Sequence, residues 1–313
     1  MTGRTRPFLV ALSLVVAIGA LAWWIADFDV SGAEVAQLAG RLKWWILAPL
    51  FVLLAGHVAL SAWRWALIEE ALCGVRPRFA EAFSAGGIAL GLGTFLPATV
   101  VNVACRAIAN RLSGTSGLRG AVSGAIDQIA DLLAVLLVAL PAALAFLAGD
   151  LRLYLWGSAG MVVLGALFVA ALPALSRWDL LQRNVIARWQ INQMLDRGTL
   201  LRLYAISLLR VLNLTLMTLA IHFASGAGTI AAVIISVPLV TLAISAAMLP
   251  GGLGVSEWSF SAVFAGLGIG AEEIVLFVLA NRLVLTGLSF AVMGLALIVL
   301  WGSVADRRDT PAS

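Results

Sequence analysis

Leu249-Pro250-Gly251-Gly252-Leu253-Gly254-Val255-Ser256-Glu257 interrupts a long apolar run with a proline, three glycines and a carboxylate. Proline removes a backbone donor and its ring collides with the preceding helical turn. Glycine adopts backbone angles that other residues resist. One continuous helix through this stretch is therefore disfavoured. Yet the flanks, 229–249 and 258–268, are as apolar as lipid-facing helix. Irregular backbone at membrane depth is tolerated only where protein or a water-filled cavity surrounds it. Broken helices of this kind form the substrate and ion sites of many transporters.

The whole chain supports a membrane reading. Of its 313 residues 62% are apolar and 12% charged, with a mean hydropathy of +1.04, whereas a soluble domain averages about 25% charged. Several apolar runs approach or exceed the roughly 20 residues that cross a bilayer. The fold class is an all-α polytopic membrane protein, with 1–313 as a single integral domain. The net charge of +4 does not point to nucleic acid, because the basic residues sit at the ends of apolar runs, which is the positive-inside signal. Cys73 and Cys105 give neither a disulfide framework nor metal-ligand spacing. His57 and His222 read as a packing residue and a helix-end residue. No metal and no cofactor is expected. Phe8–Ala26, preceded by Arg4 and Arg6, is longer than a signal-peptide core and ends at Trp23-Trp24 rather than at small residues, so it reads as a retained first helix.

In order, Phe8–Ala26 crosses outward. Ser31-Gly32-Ala33-Glu34 has capping-box form, and Val35, Leu38 and Leu42 follow at helical spacing, as in a helix lying on the outer interface. Trp44–Trp63 crosses back, and Arg64, Arg76 and Arg78 are assigned to a cytoplasmic loop. Phe83–Pro97 is apolar, glycine-rich and short for a crossing, and basic residues flank it on both sides. A re-entrant hairpin fits: in along Phe83–Leu96, a break at Pro97, and back along Val100–Leu112. The returning helix places Asn102, Arg106 and Asn110 on one face at steps of four. Ile126–Ala148 then crosses outward with Asp127 and Asp131 on one face, Asp127 lying close to the cytoplasmic interface.

The second half repeats the plan. Leu153–Leu175 crosses inward, Ser176–Thr199 lies on the cytoplasmic interface, and Leu203–Ala224 crosses outward with Arg210 and Asn213. Thr229–Leu249 re-enters from outside, breaks at Pro250-Gly251-Gly252, and returns along Val255–Leu267. Ile274–Trp301 crosses inward. The halves, about 1–149 and 150–306 with 307–313 as a cytoplasmic tail, are then inverted repeats. Each has three crossings plus one broken hairpin, six full spans in all with both termini cytoplasmic. Full crossings in place of the hairpins give eight spans, but put Arg106, Arg111 and Arg119 outside, against the charge rule. Paired interrupted segments in inverted repeats point to a site at the repeat interface. Ten of the eleven tryptophans fall near helix ends or in the loop helix; Trp258 sits beside the break and is a candidate cavity wall.

A charge inside the membrane is costly and is a functional candidate by default. The candidates are Asp127, Asp131, Glu257, Arg106, Arg210 and Arg282, either lining a polar cavity or pairing as interhelical ion bridges, Asp131 with Arg210 or Arg282. The helices that begin near Val100 and Val255 direct free N–H groups inward, where they attract anions. With Glu257 in the first turn, the second of them has its own carboxylate. Pro97, Pro250, Gly251, Gly252 and Gly254 make the breaks.

These features resemble the transmembrane region of the lysylphosphatidylglycerol synthase family, also called flippase-like domains. The resemblance rests on Leu249–Glu257, then Gly266-Leu267-Gly268, then Asn281-Arg282-Leu283. In the first half Pro97 and Arg106 fit a Pro…Arg pattern, but Asn102 and Val103 stand where an acid is usual. Asp127-Gln128-Ile129-Ala130-Asp131 resembles an acid-Arg-x-x-Asp motif with Gln128 in the arginine place. The resemblance implies movement of a phospholipid or polyprenyl-linked amphiphile between leaflets of the plasma (inner) membrane, with membrane lipids as partners. It implies phosphate at Arg106, Arg210 and Arg282, and a cationic head group or proton at Asp127, Asp131 and Glu257. With about a dozen residues after Trp301, no aminoacyltransferase domain is expected, and no nucleophile–base pair or phosphate-binding loop marks an enzyme. Two other readings fit the residues: a small-solute or ion-coupled secondary transporter, and a non-transporting partner of a lipid-modifying enzyme or glycosyltransferase.

Overall fold

The computed structural model describes residues 15, 18–28, 32–175 and 196–309. The described part of the first helix is α1 (Ile18–Asp27). There follow α2 (Gly32–Arg41), a 3-10 turn (Trp44–Ile46), α3 (Leu47–Cys73), α4 (Phe79–Leu92), α5 (Ala98–Leu112), α6 (Gly117–Ala148) and α7 (Leu151–Leu175). Beyond 176–195, where most of the expected cytoplasmic interfacial helix falls outside the described residues, come α8 (Arg197–Ser225), α9 (Ile230–Ala247), α10 (Val255–Gly266) and α11 (Ala271–Asp309). Six of the described helices, α3, α6, α7, α8, α9 and α11, are long and apolar enough to cross a bilayer. The protein is an all-α, multi-pass membrane protein.

Local chemistry sets the ends. Asp196 caps α8 by accepting from the Thr199 N–H at 2.9 Å, and Thr229 caps α9 by accepting from Ala232, each satisfying a helix-start donor. The helix from Trp44 does not stop at Trp63 as expected. α3 continues through Arg64-Trp65-Ala66-Leu67-Ile68 to Gly74, whose φ of +67° forms the C-terminal cap. A left-handed glycine is a stronger stop than a lone arginine, so Arg64 belongs to the helix and not to a loop.

A packed helix pair flanks each expected break. α4 packs on α5, and α9 packs on α10. In the first, α4 ends at Leu92 and the turn Gly93–Leu96 precedes Pro97, which is the N-cap of α5. The break therefore begins four residues before the proline. The glycines of α4 have a packing use: a Cβ on Gly87 would lie 2.5 Å from the Ala296 Cβ of α11, and one on Gly91 would collide with Met293. Small residues four apart let two membrane helices approach closely. In the second hairpin Met248 closes α9 at φ +50° and Gly254 is the N-cap of α10.

The hairpin tips touch. Pro97 and Pro250 form an antiparallel bridge, and the Gly251 N–H donates to the Gly93 carbonyl at 2.9 Å. Gly251 sits at φ +57°, and a Cβ there would lie 2.6 Å from the Thr94 carbonyl oxygen. The turn demands glycine twice over, for its backbone angle and for this approach.

Candidate functional site

The tips lie over a two-lobed cavity. The first lobe, about 370 Å³, is walled by both tips (Gly93, Thr94, Gly251, Gly252) and by α3, α5, α6, α8 and α11. Its formally charged lining is Arg210 and Arg282, with amides at Asn102, Gln128 and Asn281 and hydroxyls at Thr99, Ser245 and Thr286; no carboxylate lines it. The second lobe, about 390 Å³, shares His57, Thr99, Gln128, Arg210, Ser245 and Met248 with the first and adds Asp131 and Thr241. It is otherwise largely apolar, and Ile129, Leu132 and Met248 on its wall are exposed.

The expected charges divide into two groups. The first is built on α3, α5, α6 and α8 around Arg64, which is fully buried. Its guanidinium donates to Asp127 Oδ1 at 2.5 Å, to Asp131 Oδ1 at 2.6 Å, to the Ser207 hydroxyl at 2.9 Å and to the Asp127 carbonyl at 2.9 Å. Arg106 pairs with the other oxygen of Asp127, donates to Ser61 at 2.9 Å, and lies 5.5 Å from the Trp65 ring centroid, a cation–π separation. Gly124 leaves room for it: a Cβ there would lie 3.2 Å from Arg106 Cδ. Arg210 pairs with Asp131 Oδ2 and donates to His57 Nε2 at 3.0 Å. Because guanidinium only donates, His57 accepts at Nε2 and carries its proton on Nδ1. The group joins three guanidiniums to two carboxylates.

The second group holds the second tip. Arg282 donates to Glu257 Oε1 at 2.6 Å and to the Gly251 carbonyl at 3.0 Å, and the Ser256 hydroxyl donates to the other Glu257 oxygen at 2.7 Å. Glu257 therefore serves a tip-fixing ion pair and does not face the cavity.

Several expectations change. Asp127 and Arg106 are buried, 0% and 2% exposed, and line neither lobe. They act as an interhelical ion pair, and Asp127 is not solvated. Arg210, Arg282 and Asp131 both pair and face the cavity, and Asp131 takes Arg210 rather than Arg282. Asn102 lines the first lobe, whereas Asn110 is buried against Glu69 at 2.6 Å. Trp258 is no cavity wall; it packs on Trp23 and Phe28 and donates to the Ala20 carbonyl at 3.2 Å. Trp65 lies in the core with its N–H on Ser123, not at the boundary. Arg64, His57, Gln128 and Asn281 were not among the expected site residues. For Arg64 a signal existed, since the apolar run resumes at once beyond it.

The family model for the lysylphosphatidylglycerol synthase TM region matches residues 10–300. The chain belongs to this family. Its membership places it among membrane domains associated with lipid handling. No curated protein and no solved structure matches the chain.

Proposed function

We propose that this family member is a lipid translocase of the plasma membrane: head groups pass through the two-lobed cavity while acyl chains stay in the hydrocarbon. The observation that carries the reading is the pairing of an arginine- and amide-lined lobe with a largely apolar lobe whose wall residues Ile129, Leu132 and Met248 are exposed. An amphiphile needs both surfaces at once. A carrier of small solutes would keep its cavity closed to lipid. Two hairpins entering from opposite sides would meet tip to tip, as these do, which supports the inverted-repeat plan with cytoplasmic termini. The chain makes and breaks no covalent bond in this reading.

The test is reconstitution of the purified chain into liposomes carrying head-group-labelled phospholipids, followed by bleaching with a membrane-impermeant reductant. The expected result is loss of the protected inner-leaflet signal, slowed about tenfold or more by Arg210→Gln, as removal of roughly 1.4 kcal/mol of barrier stabilisation requires. Bleaching at the rate of protein-free liposomes refutes translocation. That outcome favours a non-transporting partner of a lipid-modifying enzyme or glycosyltransferase, whereas parent-like bleaching by Arg210→Gln moves the lipid path away from the arginine-lined lobe.

A further inference from the structure

We infer that the groove between α6 and α7 is a lipid-binding site outside the two-lobed cavity, and that it holds one glycerophospholipid whose head group carries a phosphate and a primary ammonium. The groove shares no lining residue with either lobe, and the inference does not depend on the translocase reading.

The shape comes from two long apolar helices joined by the two-residue turn Gly149-Asp150. Gly149 takes φ +66°, so the chain reverses at once. Pro141 of α6 packs on Gly157 of α7, where an added Cβ would lie 3.0 Å from the proline Cβ. Tyr154 turns the other way, into a buried cluster with Ala142, Ala145, Ile235 and Val263. At Gly160 an added Cβ would meet nothing within 4 Å. The resulting space is about 730 Å³ and is walled by leucines, among them Leu144, Leu147, Leu153 and Leu164. α7 is the least buried of the six helices long and apolar enough to cross a bilayer. From Arg152 to Leu164 the groove runs about 18 Å along α7 at 1.5 Å per residue. One leaflet of a roughly 30 Å hydrocarbon core is about 15 Å deep. The groove therefore matches the depth of one acyl layer.

Acyl contact alone selects nothing, because lipid tails are as apolar as leucine; the head group decides. Among the described residues that line the groove, Arg152 alone is charged, and it stands at the end next to the turn. Asp150 lies beside it and accepts the Arg152 backbone N–H at 2.8 Å. Both residues are exposed, and neither side chain forms an ion pair with the other or with another described residue. A cation and an anion two residues apart, each unpaired, complement a zwitterion. The guanidinium suits a phosphate, and the first turn of α7 adds helix N–H groups that favour the same anion. The carboxylate suits the ammonium. A primary ammonium brings three donors, whereas a choline nitrogen brings none. Phosphatidylglycerol offers Arg152 a phosphate but gives Asp150 no cation. Trp156, one turn further along α7, is exposed on the groove wall, and its ring favours the level of the head groups.

The experiment is native mass spectrometry of the purified full chain, delipidated in detergent and titrated with dioleoyl phosphatidylethanolamine, phosphatidylcholine and phosphatidylglycerol. The ethanolamine lipid should bind about three- to fivefold more tightly than the other two, the scale that one exposed charge contact supplies. Asp150→Asn keeps a capping side chain at the start of α7 and should erase the advantage over phosphatidylglycerol. Gly160→Leu fills the open space and should weaken all three lipids, whereas Gly287→Leu on α11, equally open, should not. The ranking is measured on the unaltered protein, so it stands even where a variant misfolds. Equal binding of the three lipids, or tighter binding of the choline or glycerol lipid, overturns the inference. A preference that survives Gly160→Leu and is lost in Arg210→Gln puts the lipid in the cavity and also overturns it. So does a delipidated dimer that Gly160→Leu converts to a monomer, since the groove is then a contact between copies of the chain. Translocation in liposomes is a separate readout, and its failure leaves this site untouched.

Discussion

Replacing Asp127 by Asn tests the buried charge group most directly. The carboxylate is fully buried, with one oxygen 2.5 Å from Arg64 Nε and the other on Arg106. Asp127→Asn keeps the volume and removes the charge, so three guanidiniums remain against Asp131 alone. Breaking a buried ion pair from one side costs about 3–5 kcal/mol, because the partner charge is left uncompensated. Arg64→Met is the informative contrast. It removes four hydrogen bonds, yet Asp127 retains Arg106 and Asp131 retains Arg210. It should therefore cost less than Asp127→Asn. The double variant returns to one surplus positive charge, as in the parent, so its cost should fall below the sum of the singles by roughly 0.5–3 kcal/mol, the range for coupled neighbours. Reversible unfolding in mixed detergent–SDS micelles gives all three values. Additivity within about 0.5 kcal/mol, or an Arg64→Met cost equal to that of Asp127→Asn, would refute the reading of these residues as one coupled charge group.

Gly251→Ala should separate the hairpin tips: it places a methyl 2.6 Å from the Thr94 carbonyl and strains φ +57°. Gly114→Ala, at φ +79° with nothing near its Cβ, controls for strain alone, roughly 1–2 kcal/mol, and Gly251→Ala should lower thermal stability clearly more. Ser116→Cys in a background lacking Cys73 and Cys105 should label only from the cytoplasmic side, since Ser116 follows the first hairpin and is exposed; labelling only from outside makes that hairpin a plain crossing. The Thr199 backbone N–H holds the Asp196 carboxyl below the ordinary carboxylate range. A lowered folded-state pKa means the cap stabilises above the ordinary carboxylate pKa and that the benefit fades as pH falls through the folded value. Proteolysis after Arg197 should accordingly rise as pH drops below about 4, and Asp196→Asn should remove that pH dependence.

Five of the expected crossings (α3, α6, α7, α8 and α11) and the Pro-Gly break were legible because each depends on local chemistry, whereas α9, expected to re-enter, is also long and apolar enough to cross. Apolar length sets the spans, and proline and glycine at membrane depth set the breaks. Arg64 was not legible as the hub of a charge group. In sequence it resembles the first basic residue after a span, and only the three-dimensional approach of α6 brings Asp127 and Asp131 to it. The spacing of those two aspartates was visible, and four residues apart they suit a single guanidinium; the partner's identity was not. Tip contact was likewise hidden, because it pairs backbone atoms of Gly93 and Gly251, and backbone atoms leave no side-chain signature.

Asn102 and Gln128 give the departures from the family pattern a physical meaning. By the resemblance an acid is usual at Asn102 or Val103 and an arginine at Gln128, and Asn102 and Gln128 line the first lobe. Losing one negative and one positive group together leaves the charge balance of the wall unchanged. What changes is the kind of contact on offer. An ion pair would either lock these two positions to each other or hold out one sign of charge to a ligand. Two amides offer donors and acceptors with no preference for sign. The formal charge of the wall then rests on Arg210 and Arg282. The substitution to make is therefore the pair: Asn102→Asp with Gln128→Arg. It should leave stability close to the parent's, because the charges are added in balance. It should also raise affinity for lysylphosphatidylglycerol relative to phosphatidylglycerol, because a carboxylate then faces the lobe. An unchanged lipid ranking in that double variant would remove Asn102 and Gln128 from the head-group contacts and leave selectivity to the two arginines alone.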